Sequence, residues 1–309
     1  MKAVLYVPDI ECDSCIKVIN RRLKDKEGIK SYLVKEEALI IDYDEEKIKN
    51  NELLQMIKDL GFRASFNPFE RKTFKERWKD LKENQHKYQL ELKGIQYSIA
   101  VFFILLILEL IAYTLFLKNI PEFITRYVMW LFYLNVSIAS LGMALWHFTA
   151  YRAKVTCMVG MMIGMTFGMQ TGLMIGAIIG ATNGFFIGAL TGMLLGVIIG
   201  ILTGKCCGIM GVMEGIMAGV MGGTMGPMIS VMMLYDNIVW FMPVYILINI
   251  IILIGLSYML YEEIIEHKQV EKQPAGFINF AIFSIVIASI LIIIMLYAPK
   301  SYVIAALGA

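Results

Sequence analysis

Charged residues are scarce in this sequence. Only 17% of the 309 residues are Asp, Glu, Lys or Arg and 58% are hydrophobic, whereas soluble domains carry roughly 25% charged residues. The mean hydropathy of +0.66 excludes an ordinary soluble globular protein. The formal net charge is only +2, which argues against nucleic acid or another polyanion as a partner.

Motifs for catalysis and energy supply are also missing. The sequence has no Asp-Lys-Thr-Gly-Thr phosphorylation motif, and residues 200–206 have the wrong spacing for a phosphate-binding loop. No nucleophile is recognisable beside a base, so we expect no enzyme, no catalytic residue and no cofactor-binding residue. We also expect no cleavable signal peptide, because the first long apolar run begins only near Ile95.

The apolar runs predict an all-α membrane domain over residues 95–309. We expect about seven spans, with six or eight as alternatives, at residues 95–117, 128–148, 155–181, 184–203, 208–234, 238–261 and 277–297. Residues 155–234 would extend about 120 Å as one helix, so they must fold back at least twice. The polar breaks at 182–184 and 204–207 are the expected reversals.

Lys and Arg residues in the short gaps predict the orientation. They favour a cytoplasmic N-terminus and an external C-terminus of a multi-pass cell-membrane protein. All five cysteines then lie on or near the reducing face, so disulfides are not expected.

Residues 1–66 alternate between strand and helix patterns. The order is strand 2–7, helix 15–24, strands 29–35 and 38–43, helix 53–60 and strand 62–66, which is the α+β ferredoxin-like βαββαβ unit. The apolar spacing gives each element one face that we expect to be buried. The expected core residues are Val4, Ile16, Ile19, Leu23, Leu33, Leu39, Ile41, Leu54 and Ile57.

Cys12 and Cys15 lie where the first strand leads into the first helix. At a helix N-terminus the dipole and the backbone amides favour thiolates, so two thiols at this spacing can bind one soft metal ion. A redox pair or incidental cysteines would be the alternatives.

The context of these cysteines resembles the heavy-metal-associated domain family, which includes copper chaperones and N-terminal modules of heavy-metal ATPases. The resemblance rests on Cys12 and Cys15, on residues 28–44 and on Leu60-Gly61-Phe62. It implies a metal-binding domain at 1–66. Ile10 stands where the family usually has Met, and Glu11 resembles the acidic residue of zinc- and cadmium-selective relatives, so those ions remain alternatives to copper.

Residues 67–94 are rich in charge and carry one apolar helical stripe. We interpret them as a charged amphipathic helical linker. It would lie on anionic headgroups, with packing on the metal domain or pairing with a second copy as alternatives.

Glycine recurs at every fourth position from Gly160 to Gly208, and a second register begins at Gly211. Small residues at this spacing allow helix backbones to meet closely in lipid, so we predict tightly packed helices of the glycine-zipper type. Glycine alone predicts packing or oligomers and no chemistry.

Methionine follows the same period, and 15 of the 22 methionines lie between Met158 and Met233. Thioethers are neutral, soft ligands that suit Cu(I), although Met also fills gaps beside glycine. The predicted ligands in the membrane are Met161, Met165, Met169, Met213, Met217, Met221 and Met225. Glu214 beside them is a further candidate ligand, and Glu109 is a second carboxyl that is costly in lipid. We expect His86, His147 and His267 to be interfacial or solvated.

The MxxxM element at Met213 and Met217, beside glycine-rich helices, resembles the Ctr copper-uptake channels, and the vicinal Cys206-Cys207 pair resembles mercuric ion transport proteins. We therefore predict a membrane transporter for soft metal ions, Cu(I) foremost. Metal would pass along the methionines to Cys157, Cys206 and Cys207 and then to Cys12 and Cys15.

Two other functions remain open: a membrane-anchored metallochaperone or sensor that does not transport, and a Zn(II), Cd(II) or Hg(II) transporter. The partners that we expect are the lipid bilayer, further copies of the chain and a cytosolic metallochaperone.

Overall fold

The structure, a computed structural model, describes residues 2–8, 10, 13–24, 26, 28–35, 38–45, 47–60, 62–68, 89–115, 118, 123–151, 157–261 and 276–302. These residues belong to two units. One contains the N-terminal strands and helices, and the other contains the long helices. Glu11, Cys12, His86 and His267, and residues 69–88 of the linker, lie outside the described residues.

The N-terminal unit is a small sheet covered by two helices. Its elements are β1 (Lys2–Tyr6), α1 (Asp13–Lys24), β2 (Ile29–Lys35), β3 (Ala38–Tyr43) and α2 (Asn50–Asp59). The strands pair antiparallel in the order β1-β3-β2, so β3, which buries Leu39, Ile41 and Tyr43, is central. This confirms the predicted α+β fold. Of the predicted last strand, the described residues show a single bridge, in which Ser65 pairs with Tyr6 through backbone hydrogen bonds of 2.8 and 3.1 Å.

Two of the predicted core residues, Val4 and Leu33, lie on the exposed face of the sheet, so the prediction is wrong for them. Leu5 is fully buried, whereas Val4 is 44% and Leu33 is 52% exposed. β1 is apolar at both parities, so its sequence does not choose a face. The register does: Val4 and Leu33 both pair with Ile40, on the face opposite to Leu39 and Ile41.

We expect Leu5→Ala to destabilise this unit by about 2–5 kcal/mol, the range for emptying a buried aliphatic site. Val4→Ala on the open face of the same strand should cost less than about 1 kcal/mol. Chemical denaturation of the two variants measures the difference. Equal losses would mean that β1 is turned over relative to the structure.

The second unit contains seven long helices in its described residues. They are α3 (Gln89–Leu115), α4 (Phe123–Ala150), α5 (Cys157–Asn183), α6 (Phe185–Gly204), α7 (Gly208–Met233), α8 (Ile238–Leu260) and α9 (Phe277–Tyr297). Six segments are long and apolar enough to cross a membrane, one of them the 49-residue segment Phe185–Met233. That segment folds back at the 3₁₀ turn Lys205–Cys207 into α6 and α7, and the chain is a multi-pass membrane protein.

Both predicted reversals agree with the structure. The first is at Gly184, whose φ of +107° lies in the region that favours glycine. Asn183, just before it, is held by the C-terminal end of α9, because its side-chain amide donates to the carbonyl oxygen of Ala298 at 3.1 Å. The second reversal is the 3₁₀ turn that carries Cys206 and Cys207.

Helices α5, α6 and α7 pack on one another more extensively than any other helices described. α6 runs antiparallel to α7: Gly200 lies against Gly215, and a Cβ built on Gly200 would be 2.3 Å from the Gly215 carbonyl oxygen. α5 runs parallel to α7, and a Cβ on Gly172 would be 2.4 Å from the Gly223 nitrogen. The three backbones therefore touch, at positions where only glycine fits.

Candidate metal sites

Cys15 lies in the first turn of α1, at the helix N-terminus. It is half-buried and packs against the core of the N-terminal unit. Ile10, the residue that stands in place of Met in the resemblance above, is 1% exposed and belongs to the same core. The helix dipole favours a thiolate at Cys15, and its predicted partner Cys12 lies outside the described residues.

A second thiol site lies at the turn between α6 and α7. A Cβ built on Gly160 of α5 would be 3.1 Å from Cys206 Sγ and 3.4 Å from Cys207 Sγ. Both thiols therefore lie beside the same glycine, and neither is in a disulfide. Cys206 also donates to the Thr203 carbonyl oxygen at 3.2 Å. Cys157, the first residue of α5, lies one turn before Gly160, and its side chain is outside the described set.

Five of the seven methionines predicted as ligands are exposed on α5 or α7, and Met161 and Met169 are half-buried. Every exposed methionine among the described residues is on α5 or α7. Seven of them step by three or four along one side of α7 and are 45–62% exposed, and we call them the methionine face of α7: Met210, Met213, Met217, Met221, Met225, Met228 and Met232. They span about 33 Å at 1.5 Å per residue, which matches the roughly 30 Å of hydrocarbon in a bilayer.

Helix α5 carries further methionines in its first half. Met158, Met162 and Met165 are exposed, and Met161 and Met169 are half-buried. A Cβ on Gly222 of α7 would be 2.4 Å from the Met169 carbonyl oxygen, so the two helices are adjacent at this level. On α7 the methionines therefore lie in a row on the surface of the bundle instead of between its helices.

The two intramembrane carboxyls differ in their surroundings. Glu214 is partly exposed on α7 and shares its side of the helix with Met213 and Met217. Glu109 is on α3, away from the methionines, and its Oε2 accepts a 2.8 Å hydrogen bond from Asn135 Nδ2 of α4. Of the two, only Glu214 is placed to act with the thioethers.

His147 is buried, so of the two expected positions, interfacial or solvated, the solvated one is wrong. It is 4% exposed near the end of α4, and its Nε2 is 3.8 Å from Glu91 Oε1 of α3. The same oxygen accepts a 2.8 Å hydrogen bond from the Tyr151 hydroxyl. Burial and the Glu91 carboxylate raise the pKa of Tyr151, so it stays a donor. Sequence reasoning missed this cluster because Glu91 is 56 residues or more from its partners.

The described residues contain no group of three His, Cys, Asp or Glu side chains that could hold a metal. A small cleft between helices of the second unit is lined mainly by aliphatic residues such as Ile175 and Ile199. Within the described part of the second unit, thiols lie at the turn between α6 and α7, and exposed thioethers lie on α5 and α7.

Residues 4–63 match the heavy-metal-associated domain family. The chain therefore carries such a domain, in agreement with the α+β fold and with the position of Cys15, and this domain binds heavy-metal ions. No curated protein and no solved structure shows significant similarity to the chain. Together with the long apolar helices, these findings describe a multi-pass membrane protein that binds heavy metals.

Proposed function

We propose that the protein transports soft metal ions, Cu(I) foremost, across the membrane and delivers them to its own N-terminal domain. Metal moves along the methionine face of α7 and the adjoining methionines of α5. It then reaches the thiols of Cys206 and Cys207, with Cys157 as a third ligand, on the cytoplasmic side. Exchange onto Cys12 and Cys15 completes the transfer.

The observation that carries this proposal is that, in the part of the chain that the structure describes, the exposed methionines are all on α5 and α7. The exposed side of α6 consists of Leu190, Leu194, Ile198 and Leu202, and those of α8 and α9 are also built from aliphatic and aromatic residues. On those helices, aliphatic and aromatic side chains are sufficient for contact with lipid. A need for apolar surface therefore does not explain why α7 has seven methionines in one row. Thioether ligation of Cu(I) does, and the thioethers themselves are neutral, so the metal-free ligands place no charge in the membrane.

The row of thioethers leads to the thiols. Met210 follows Cys207 by three residues, so the methionine face begins within one turn of the cysteine pair. Thiolates bind Cu(I) more tightly than thioethers do. Metal that arrives along α7 is therefore drawn toward Cys206 and Cys207, which sets the direction of transfer inward.

The position of Glu214 supports a divalent metal ion as a second candidate substrate. A carboxylate beside thioethers, together with Glu11 next to Cys12, would suit Zn(II) or Cd(II) better than Cu(I). Flux of a divalent ion that is lost in Glu214→Gln would favour this substrate. A cytosolic metallochaperone is the expected acceptor after the N-terminal domain.

Purified protein in liposomes tests the proposal by uptake of Cu(I) with a reductant present. We expect Met213→Leu combined with Met217→Leu to lower the flux at least about tenfold, because two soft ligands are replaced by groups without lone pairs. Met242→Leu combined with Met295→Leu is the matched control, since it removes two fully buried thioethers from α8 and α9. These swaps nearly conserve volume and are well tolerated in packed sites.

Equal flux in both double variants would reject the methionine path. Absence of flux in the unmodified protein, with metal still bound at Cys12 and Cys15, would identify a membrane-anchored chaperone or sensor instead.

A further inference from the structure

We infer that the methionine face of α7 is the contact surface between copies of this chain, and that the metal path is enclosed only when copies associate. This inference rests on the proposed function, because it names the partner that completes the path. It starts from how α7 is covered within one chain.

One side of α7 is covered by other helices of the same chain. Gly211, Gly215, Gly219 and Gly223 meet the backbones of α5 and α6, at distances that leave no room for side chains. The described part of α8 adds only a small contact. The methionine face is therefore left without a neighbour from the described helices along its whole length.

The composition of this face does not fit lipid. Glu214, which is partly exposed, lies among these methionines on the same side of α7. Thr224 lies there too, and its hydroxyl donates to the Val220 carbonyl oxygen of its own helix at 3.0 Å. A carboxyl group is unfavourable against hydrocarbon, and such residues normally face a protein interior or a water-filled path. A protein neighbour over this face removes Glu214 from lipid contact.

A second copy fits the face better than a foreign helix does. All copies in a membrane have the same orientation, so a rotation axis normal to the membrane brings identical residues together at the same depth. Because the steps of three and four average close to a helical turn, the row stays straight and can meet its own image from end to end. Each level then gains the same ligand from each copy.

This arrangement also completes the ligand set. One chain presents thioethers from one side only, which leaves a bound ion open to lipid on the other side. With Met217 supplied by two or three copies, sulfur surrounds the ion at that level, and Glu214 of each copy lies near the same axis. The site is incomplete without the partner copy.

Cysteine cross-linking tests the interface at two positions of equal exposure. Met217 of the methionine face and Leu194 of α6 are both 56% exposed. Each is changed to cysteine in a chain whose five native cysteines are serine, and membranes are oxidised with iodine so that no copper is added. We expect Met217→Cys to form a covalent dimer of this chain and Leu194→Cys to remain monomeric.

Co-purification of two differently tagged copies of the unmodified chain serves as a second measurement, which does not depend on the folding of the variants. Cross-linking at Leu194→Cys as strong as at Met217→Cys, or tagged copies that do not associate, would overturn the interface. Flux without association would refute the interface and leave transport standing. Association without flux would refute transport and leave the interface standing.

Discussion

Gly223→Ala is expected to disrupt the membrane unit, whereas Gly255→Ala is expected to leave it folded. A Cβ on Gly223 would lie 2.2 Å from the Met193 nitrogen and 2.6 Å from the Gly192 carbonyl carbon, and both are backbone atoms of α6. Backbone cannot rotate away as a side chain can, so α6 and α7 must separate. We expect a loss at or above about 3 kcal/mol, the upper end for overpacking a close-packed site.

A control at Gly255 separates the effect of the helix contact from the effect of alanine on the helix itself. Gly255 is in α8 and has nothing within 4 Å of a built Cβ, so alanine there should be neutral or stabilise the helix by up to about 1 kcal/mol. Thermal unfolding of both variants in detergent measures the difference. Similar melting temperatures would mean that α6 and α7 are farther apart than the structure has them.

This packing could be anticipated because glycine in lipid has few other uses. The period of four follows one ridge of a helix, and small residues along a ridge let backbones approach. The polar breaks near residues 183 and 205 then defined two reversals, and the helix bounds agree with them to within a few residues. Fold and packing were accessible from sequence because each depends on local spacing.

The side of α7 on which the methionines lie could also have been predicted from the sequence, although the pattern was interpreted only as a row of ligands. On α7 the methionines at 213, 217, 221 and 225 follow the glycines at 211, 215, 219 and 223 by two residues. Two residues turn a helix by about 200°, so the two sets occupy opposite sides. Once glycine faces inward, methionine must face outward. The two-residue offset between glycine and methionine, more than the period of four that they share, determines whether the methionines lie inside the bundle or on its surface.

Other features were beyond the sequence because they depend on distant partners. Val4 and Leu5 are neighbouring aliphatics, and only the pairing of β1 with β3 places one inside and the other outside. His147 is buried near the end of α4, and its partner Glu91, 3.8 Å away, is on another helix. Neither spacing nor composition contains that information.

Replacing Cys206 and Cys207 together by serine is expected to abolish soft-metal binding at the α6–α7 turn. A hydroxyl is a hard, weak donor for Cu(I), and even indirect changes around a metal lower affinity by about 10–100-fold. We therefore expect a loss of at least about 100-fold in affinity at this site. Titration with a Cu(I) chelator, in a chain that also carries Cys15→Ser to silence the N-terminal domain, isolates the membrane site.

Gly160→Ala distinguishes thiols that act as a pair from thiols that bind singly. Its Cβ would be 2.6 Å from Cys207 Cβ and 3.1 Å from Cys206 Sγ, so it displaces both side chains without removing a ligand. A pair that holds one ion depends on the separation of its sulfur atoms, so its affinity should fall with all cysteines present, while Gly255→Ala should have no effect. Unchanged affinity in Gly160→Ala, beside its loss in the double serine variant, would mean that one thiol suffices and that the glycine serves packing alone.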